Sequence, residues 1–488
     1  RMYTEAVDNL QAALELDPPA TELADFNYTL GCALQALNYV KPSLAALVAA
    51  EKAGCQEDDL ALRKALMYMQ LRKWDEAEQE LAVASVHYRD EGELRYQMGR
   101  LYFLQNKIEL AYQETVEAER IAPESLKVRL QKALCSARIN DADLAIAEFR
   151  ELLEDYPDLT QARSELGHLY RANDQIDLAI EEFQRALDLQ PESVELHLDL
   201  GRAYAKRGDH DLAIKSMEKA VKLKPGPETS ALLGDALFGT SRLEEAESQY
   251  RKALSMMPEN ARAQAGLGAV LMRKGRFEDS LSCLRSATQS APTWAKPQAD
   301  LGLVFMQLGK WDEAARAYEE ASRLEPKNPD HPAKLGLVAF RLGDFERAIS
   351  VIRRAVELDP TLSDAQSHLG IAYAAAGRLD EAIAAYKRAI TLNPLDPKTH
   401  YNLGVAFSKK RQWDQVIESY RRCLDLDADD LNARYNLALI FERMKMTDEA
   451  EAQLKTGYSV AQQKRSNDFL AKFGKEMQRL GVAIPGGE

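Results

Sequence analysis

Pro360-Thr-Leu-Ser-Asp-Ala-Gln-Ser-His-Leu-Gly-Ile-Ala-Tyr-Ala-Ala-Ala-Gly-Arg-Leu-Asp-Glu-Ala-Ile-Ala-Ala-Tyr-Lys-Arg-Ala-Ile-Thr-Leu-Asn-Pro394 is the stretch from which the rest of the chain can be read. Leu369, Ala372 and Tyr373 recur at helical spacing and make one apolar face; Ala382, Ile383, Tyr386, Ala389 and Ile390 make a second. The spacing predicts two short helices. Gly377 stands between them, where a left-handed residue ends the first. Asp380 and Glu381 fall in the first turn of the second, where negative charge meets the positive end of the helix dipole. Pro394 breaks the chain before the next unit.

The unit recurs. Pro123, Pro157, Pro191, Pro225, Pro258, Pro292, Pro326, Pro360 and Pro394 are 34 residues apart, with one 33-residue step before Pro258. A small-residue column runs in phase with them: Gly31, Ala65, Gly99, Ala133, Gly167, Gly201, Gly234, Gly268, Gly302, Gly336, Gly370, Gly404 and Ala438. A third column holds Ala77, Ala111, Ala145, Ala179, Ala213, Ala246, Ala314, Ala348, Ala382 and Ala450, with Ser43, Ser280 and Val416 in its gaps. A 34-residue helix–turn–helix with these columns resembles the tetratricopeptide repeat (TPR). The resemblance covers nearly the whole chain. It implies an all-α fold, a right-handed α-solenoid or superhelix of about thirteen units, each burying its apolar face against its neighbours. It says little about function.

Residues 1–20 read as the second helix of a truncated repeat, 21–156 as irregular units, 157–427 as regular units and 428–460 as the last unit. Within 461–488, Gln463 to Leu480 reads as an amphipathic capping helix that places Phe469, Leu470, Phe473, Met477 and Leu480 on one face, followed by a loose tail. The opening half-repeat implies residues upstream of Arg1. A cytoplasmic setting is expected, with a periplasmic or membrane-anchored one as the alternative that such residues would decide.

Composition narrows the function classes. The net charge is −14, which argues against binding a phosphate backbone. No 18-residue apolar run is present, so no membrane insertion is expected of these residues. The five cysteines are odd in number and widely spaced, which reads as free thiols. Phosphate-loop, serine-elbow and zinc-protease signatures are absent, and no catalytic residue, metal or cofactor is expected. Asp425, Asp427, Asp429 and Asp430 resemble half of a calcium loop, but Asp430 and Asn436 stand where such a loop needs glycine and glutamate. Asn27-Tyr28-Thr29 is a glycosylation sequon set inside a predicted helix. Trp74, Trp311 and Trp413 share a column with Phe277 and Phe345 and read as packing residues.

The expected chemistry is therefore recognition of a protein or peptide. In TPR superhelices the first helix of each unit lines the concave face. Here that face is charged in the fifth and sixth units. It becomes apolar in the middle, with Ala265, Ala269 and Met272, then Ala299, Leu303 and Met306, then Ala333, Leu337 and Phe340, then Ile371. Small residues alternating with flexible Met and Phe suit an amphipathic helix laid in a groove. The competing reading is that superhelical winding buries them. Further on, Lys398, Asn402, Lys409 and Asn436 resemble part of a peptide-binding set, but Ser367 and Ile371 replace the leading Lys–Asn pair of a carboxylate clamp. The resemblance implies a non-enzymatic scaffold or adaptor. Two alternatives stay open: a scaffold of a bacterial envelope assembly (secretion, pilus or exopolysaccharide machinery), and the substrate-targeting arm of a larger enzyme such as a glycosyltransferase. The partner and the oligomeric state are not read from these residues.

Overall fold

A computed structural model describes residues 2–16, 18–139 and 141–484. Among the described residues there are 28 α-helices and no strand. The chain forms two compact units, Arg1–Pro225 and Gly226–Glu488. The first holds the helix Met2–Glu15 and six helix pairs, repeats 1–6, from Ala20 to Leu223. The second holds seven pairs. Their first helices are Pro227–Gly239, Ala261–Arg273, Ala295–Gln307, Asp330–Arg341, Ser363–Ala375, Pro397–Lys409 and Leu431–Arg443, which begin repeats 7–13. The last second helix runs Thr447–Gln463, and the helix Asn467–Arg479 follows it. The latter buries Phe473 and Met477 against Leu454 and Ala461. Of the tail expected over 481–488, residues 485–488 lie outside the described residues.

Local rules build each pair. Asn260, Asp396 and Asp430 end repeats 7, 11 and 12 and cap the next first helix, their side chains accepting from Ala263 N at 2.8 Å, Thr399 N at 3.1 Å and Ala433 N at 2.9 Å. Asp430, the last of the four aspartates, is thus a capping residue. Asp427 accepts from Asp429 N at 3.1 Å in the same turn. A side chain three residues into the helix reaches back to the carbonyl six residues earlier: Arg163 to Pro157, His197 to Pro191, Gln264 to Pro258, His400 to Pro394 and Arg434 to Ala428. Those carbonyls would otherwise be orphans at the end of the preceding helix. Outside repeat 4, each first helix then stops at a left-handed residue among the described residues. Gly377 takes it at φ +80°, but Arg72, Arg411 and Lys445 hold the same place at +57°, +59° and +61°.

Packing explains the columns. A Cβ on Gly302 would lie 2.7 Å from the ring of Tyr318, so the small-residue column lets the second helix's aromatic lie across the first. Ala314 and Ala382 are wholly buried at the helix crossing. The two serines of that column use the buried space: Ser43 donates to Gly31 O at 2.8 Å and Ser280 to Gly268 O at 2.7 Å. Within the second unit, each second helix packs on its own first helix and on the first helix of the following repeat.

The early repeats depart from this pattern at a leucine column. Leu166, Leu200, Leu267, Leu301 and Leu335 occupy it later, but Lys64 and Lys132 occupy it in repeats 2 and 4. Lys64 is 3% exposed and lies 2.7 Å from both Glu51 and Glu80. Lys132 meets Glu119 at 2.7 Å and Glu148 at 3.3 Å. The glutamates stand 13 residues before and 16 after each lysine. Burial lowers the pKa of both lysines, but the paired carboxylates outweigh it and raise the net value.

Candidate functional site

The second unit's first helices carry the stripe read from the sequence, and burial sorts its members. Ala265 and Ala269 are 1% and 5% exposed. They belong to the packing between repeats 7 to 9 and offer no surface, which corrects the expectation for these two. The cause is local. Tyr250 leans over Gly266, whose added Cβ would meet the ring at 2.3 Å, and the Tyr250 hydroxyl donates to Asp235 at 2.7 Å. Arg262 closes the same corner on Asp235 at 2.8 Å. Burial and the Asp235 carboxylate push the Tyr250 phenol well above its usual range.

The other members keep accessible surface. Met272, Ala299, Leu303, Met306, Ala333, Leu337, Phe340 and Ile371 are all half-buried. Met272, Ala299 and Met306 rest one side on the core of repeats 8–10, and Phe340 and Ile371 rest on that of repeats 10–13. Phe340 also stacks obliquely on Phe345, with ring centroids 5.4 Å apart. Leu303, Ala333 and Leu337 are partly open without belonging to either core. His368 edges the stripe in repeat 11. Burial lowers its pKa from 6.5, aided by Lys334 and opposed by Asp364 and Asp396.

The polar candidates differ in their surroundings. Lys398 and Lys409 are exposed and Asn402 is half-buried. Asn436 is tied down: its amide donates to the phenols of Tyr401 at 3.2 Å and Tyr420 at 3.4 Å. That bond locks repeat 13 to repeat 12, and no motif in the sequence marks it. The tryptophans are packing residues with a cationic cover. Arg341 lies over Trp311 at 5.9 Å and Arg443 over Trp413 at 4.7 Å, each reaching back from the next repeat. Asn27 of the sequon is buried within a helix, its amide donating to Leu23 O at 2.8 Å. The five cysteines are free thiols, and burial beside Asp430 pushes Cys423 up to about 12.

Comparison with known families agrees with this architecture. The model of the cilia and flagella-associated protein 70 C-terminal domain matches residues 156–290 and 226–404. Two tetratricopeptide-repeat models match residues 399–434 and 127–159. The chain belongs to the tetratricopeptide-repeat family. The overlap of the first model's two matches is what a periodic chain produces, since the same pattern fits in more than one register. No curated protein matches this TPR sequence. Among solved structures it is similar to the anaphase-promoting-complex hetero-tetramer Cut9–Hcn1, at 16% identity and a TM-score of 0.44 over 90% of this chain and 93% of that one. It is also similar to YrrB, described as a TPR protein with an unusual peptide-binding site, at 25% identity and 0.34 over 38% and 95%. MamA follows at 27% identity and 0.33 over 36% and 95%. TPR proteins are in the main interaction scaffolds, and the fold implies protein or peptide partners. Among the described residues, no helix is long and apolar enough to cross a membrane.

Proposed function

We propose that this TPR protein is a non-enzymatic scaffold that holds an amphipathic helix of a partner protein along the first helices of repeats 9–11. One observation carries the reading. Ala299, Leu303, Met306, Ala333, Leu337, Phe340 and Ile371 form a row of apolar side chains that packing between repeats leaves half-open. Packing alone would have closed them, as it closed Ala265 and Ala269. An apolar face set at i, i+3, i+4 and i+7 on a partner helix matches such a row, and flexible Met306 can adapt to its shape. Lys334 and Arg341 are exposed beside the row in repeat 10, which favours carboxylates on the partner's flanks.

The test is co-purification from native extract with the partner identified by its peptides, comparing the natural chain with Leu303→Asp plus Leu337→Asp. Two carboxylates on the open row exclude an apolar face, so a stoichiometric partner is expected to be lost while thermal unfolding is unchanged. A partner retained at full stoichiometry by the folded variant sinks the reading.

A further inference from the structure

The second helices of repeats 10–12 carry a different surface. The pairs Arg353-Arg354, Lys387-Arg388 and Arg421-Arg422 recur 34 residues apart near the middle of these helices, and all six side chains are exposed. The chain as a whole has a net charge of −14, and repeat 9 carries Glu319-Glu320 at the same places. Repeat 7 has Arg251-Lys252 there and repeat 8 Arg285-Ser286, so the repeat does not impose the pair, and repeats 10–12 are where three follow in succession.

Two clefts open between them. One, of about 380 Å³, is lined by Arg353, Val356, Leu369, Tyr373, Ala384 and Arg388. The other, of about 880 Å³, is lined by Lys387, Ile390, Leu403, Phe407, Glu418 and Arg422. Each residue of the first has its counterpart in the second 34 positions later. The floor is apolar in both, and a cation stands on either rim. Carboxylates also line the clefts, Glu357 and Glu381 in the first and Asp414, Glu418 and Asp425 in the second, but they leave the cations underused. Glu381 is held by Arg378 at 3.0 Å, while Glu357 and Asp425 lie only within 3.8 Å of Arg353 and 4.0 Å of Arg422. Among the described residues Arg388 makes no ion pair. Lys387 and Arg421 lie over the rings of Phe407 and Phe441 at 5.7 and 5.6 Å, which holds their charge at the cleft without a counter-ion.

We propose that these twin clefts hold an acidic amphipathic segment of a partner protein, its apolar side chains seated in successive clefts and its carboxylates on the basic pairs. Arginine suits this role because its planar fork donates two parallel hydrogen bonds to a carboxylate. The apolar floors favour a peptide over a nucleic acid, which is held chiefly through its phosphates and has no apolar side chains to fill them. The surface is separate from the first-helix stripe. On the first helices the cleft residues are the fourth, seventh and eleventh of the repeat, and the stripe residues are the fifth, ninth and twelfth. The two faces lie about 130° apart around the helix. A chain that uses both joins two partners.

The experiment uses the full chain and a fluorescein-labelled peptide of repeated Leu-Leu-Glu-Glu, read by anisotropy. Binding is expected for the natural chain and for Leu303→Asp plus Leu337→Asp, which separates this surface from the stripe. It is expected to weaken at least about tenfold in Arg388→Glu plus Arg422→Glu, whose exposed positions spare the fold. That charge-reversed variant is expected to take up the matching Leu-Leu-Lys-Lys peptide, which the natural chain ignores. Failure of the acidic peptide to bind the natural chain overturns the proposal. So does equal binding by the charge-reversed variant, or an oligothymidylate that binds as tightly and displaces the peptide.

Discussion

Arg411 sits at φ +59°, a conformation that places its Cβ against the following carbonyl. Gly377 holds the equivalent place one repeat earlier at +80°, without a Cβ. Arg411→Gly is therefore expected to raise stability by about 1 kcal/mol, readable as a higher denaturation midpoint at unchanged slope. His368 adds a pH dependence with a definite sign. Burial depresses its folded pKa below 6.5, so the neutral ring is the one the fold prefers. The stability this contributes is complete above the unfolded value and is lost as pH falls through and below about 6.5. His368→Asn should flatten that part of the stability–pH curve. A variant that loses stability over the same range as the natural chain counts against it. Neither effect was legible beforehand, because the repeat pattern marks a turn and a face but not a φ angle or a desolvated ring.

The helix pair of repeat 2 shows how an element tolerates a charged residue in an apolar column. Lys64 replaces leucine and draws Glu51 and Glu80 to 2.7 Å. Removing the lysine alone leaves Glu80, itself only 16% exposed, without its partner. Lys64→Met is expected to cost about 2–3 kcal/mol, somewhat less than a fully buried pair because Glu51 reaches water. Adding Glu80→Leu to the same chain should recover most of that loss, since a well-packed apolar pair replaces a buried ionic one. Equal destabilisation in both variants would mean that the lysine stem, and not its charge, is what the repeat needs. Within residues 21–156 the repeat is kept, but two positions of its leucine column are ionic. The sequence shows the two lysines, and only the packed helices show the glutamates 13 before and 16 after closing on them.

Affinity along a solenoid face is spread over several repeats, and this sets what single substitutions can do. Leu303→Ala alone is expected to weaken partner binding by less than about tenfold, because the neighbouring repeats keep their contacts. Leu303→Asp plus Leu337→Asp should abolish it with folding free energy changed by no more than about 0.5 kcal/mol, since both sites are half-open. Denaturant unfolding and binding measured on the same preparations separate the two effects. If the double variant unfolds early, Leu303 and Leu337 are core residues and the stripe is packing after all.

The 34-residue period by itself determined the helix pairs, their turns and the residues at the helix crossings, because those features depend on contacts within a repeat and with its neighbours, and periodicity encodes them. It also made the stripe visible as a run of small and apolar residues. Tertiary structure alone decided which of those residues face outward. Ala265 and Ala269 are closed over in repeat 8, while the row in repeats 9–11 stays half-open. It alone showed the amide of Asn436 spent on Tyr401 and Tyr420, and the basic pairs framing apolar clefts. These depend on how far a side chain reaches across a neighbouring helix, a quantity that no column of identical residues records.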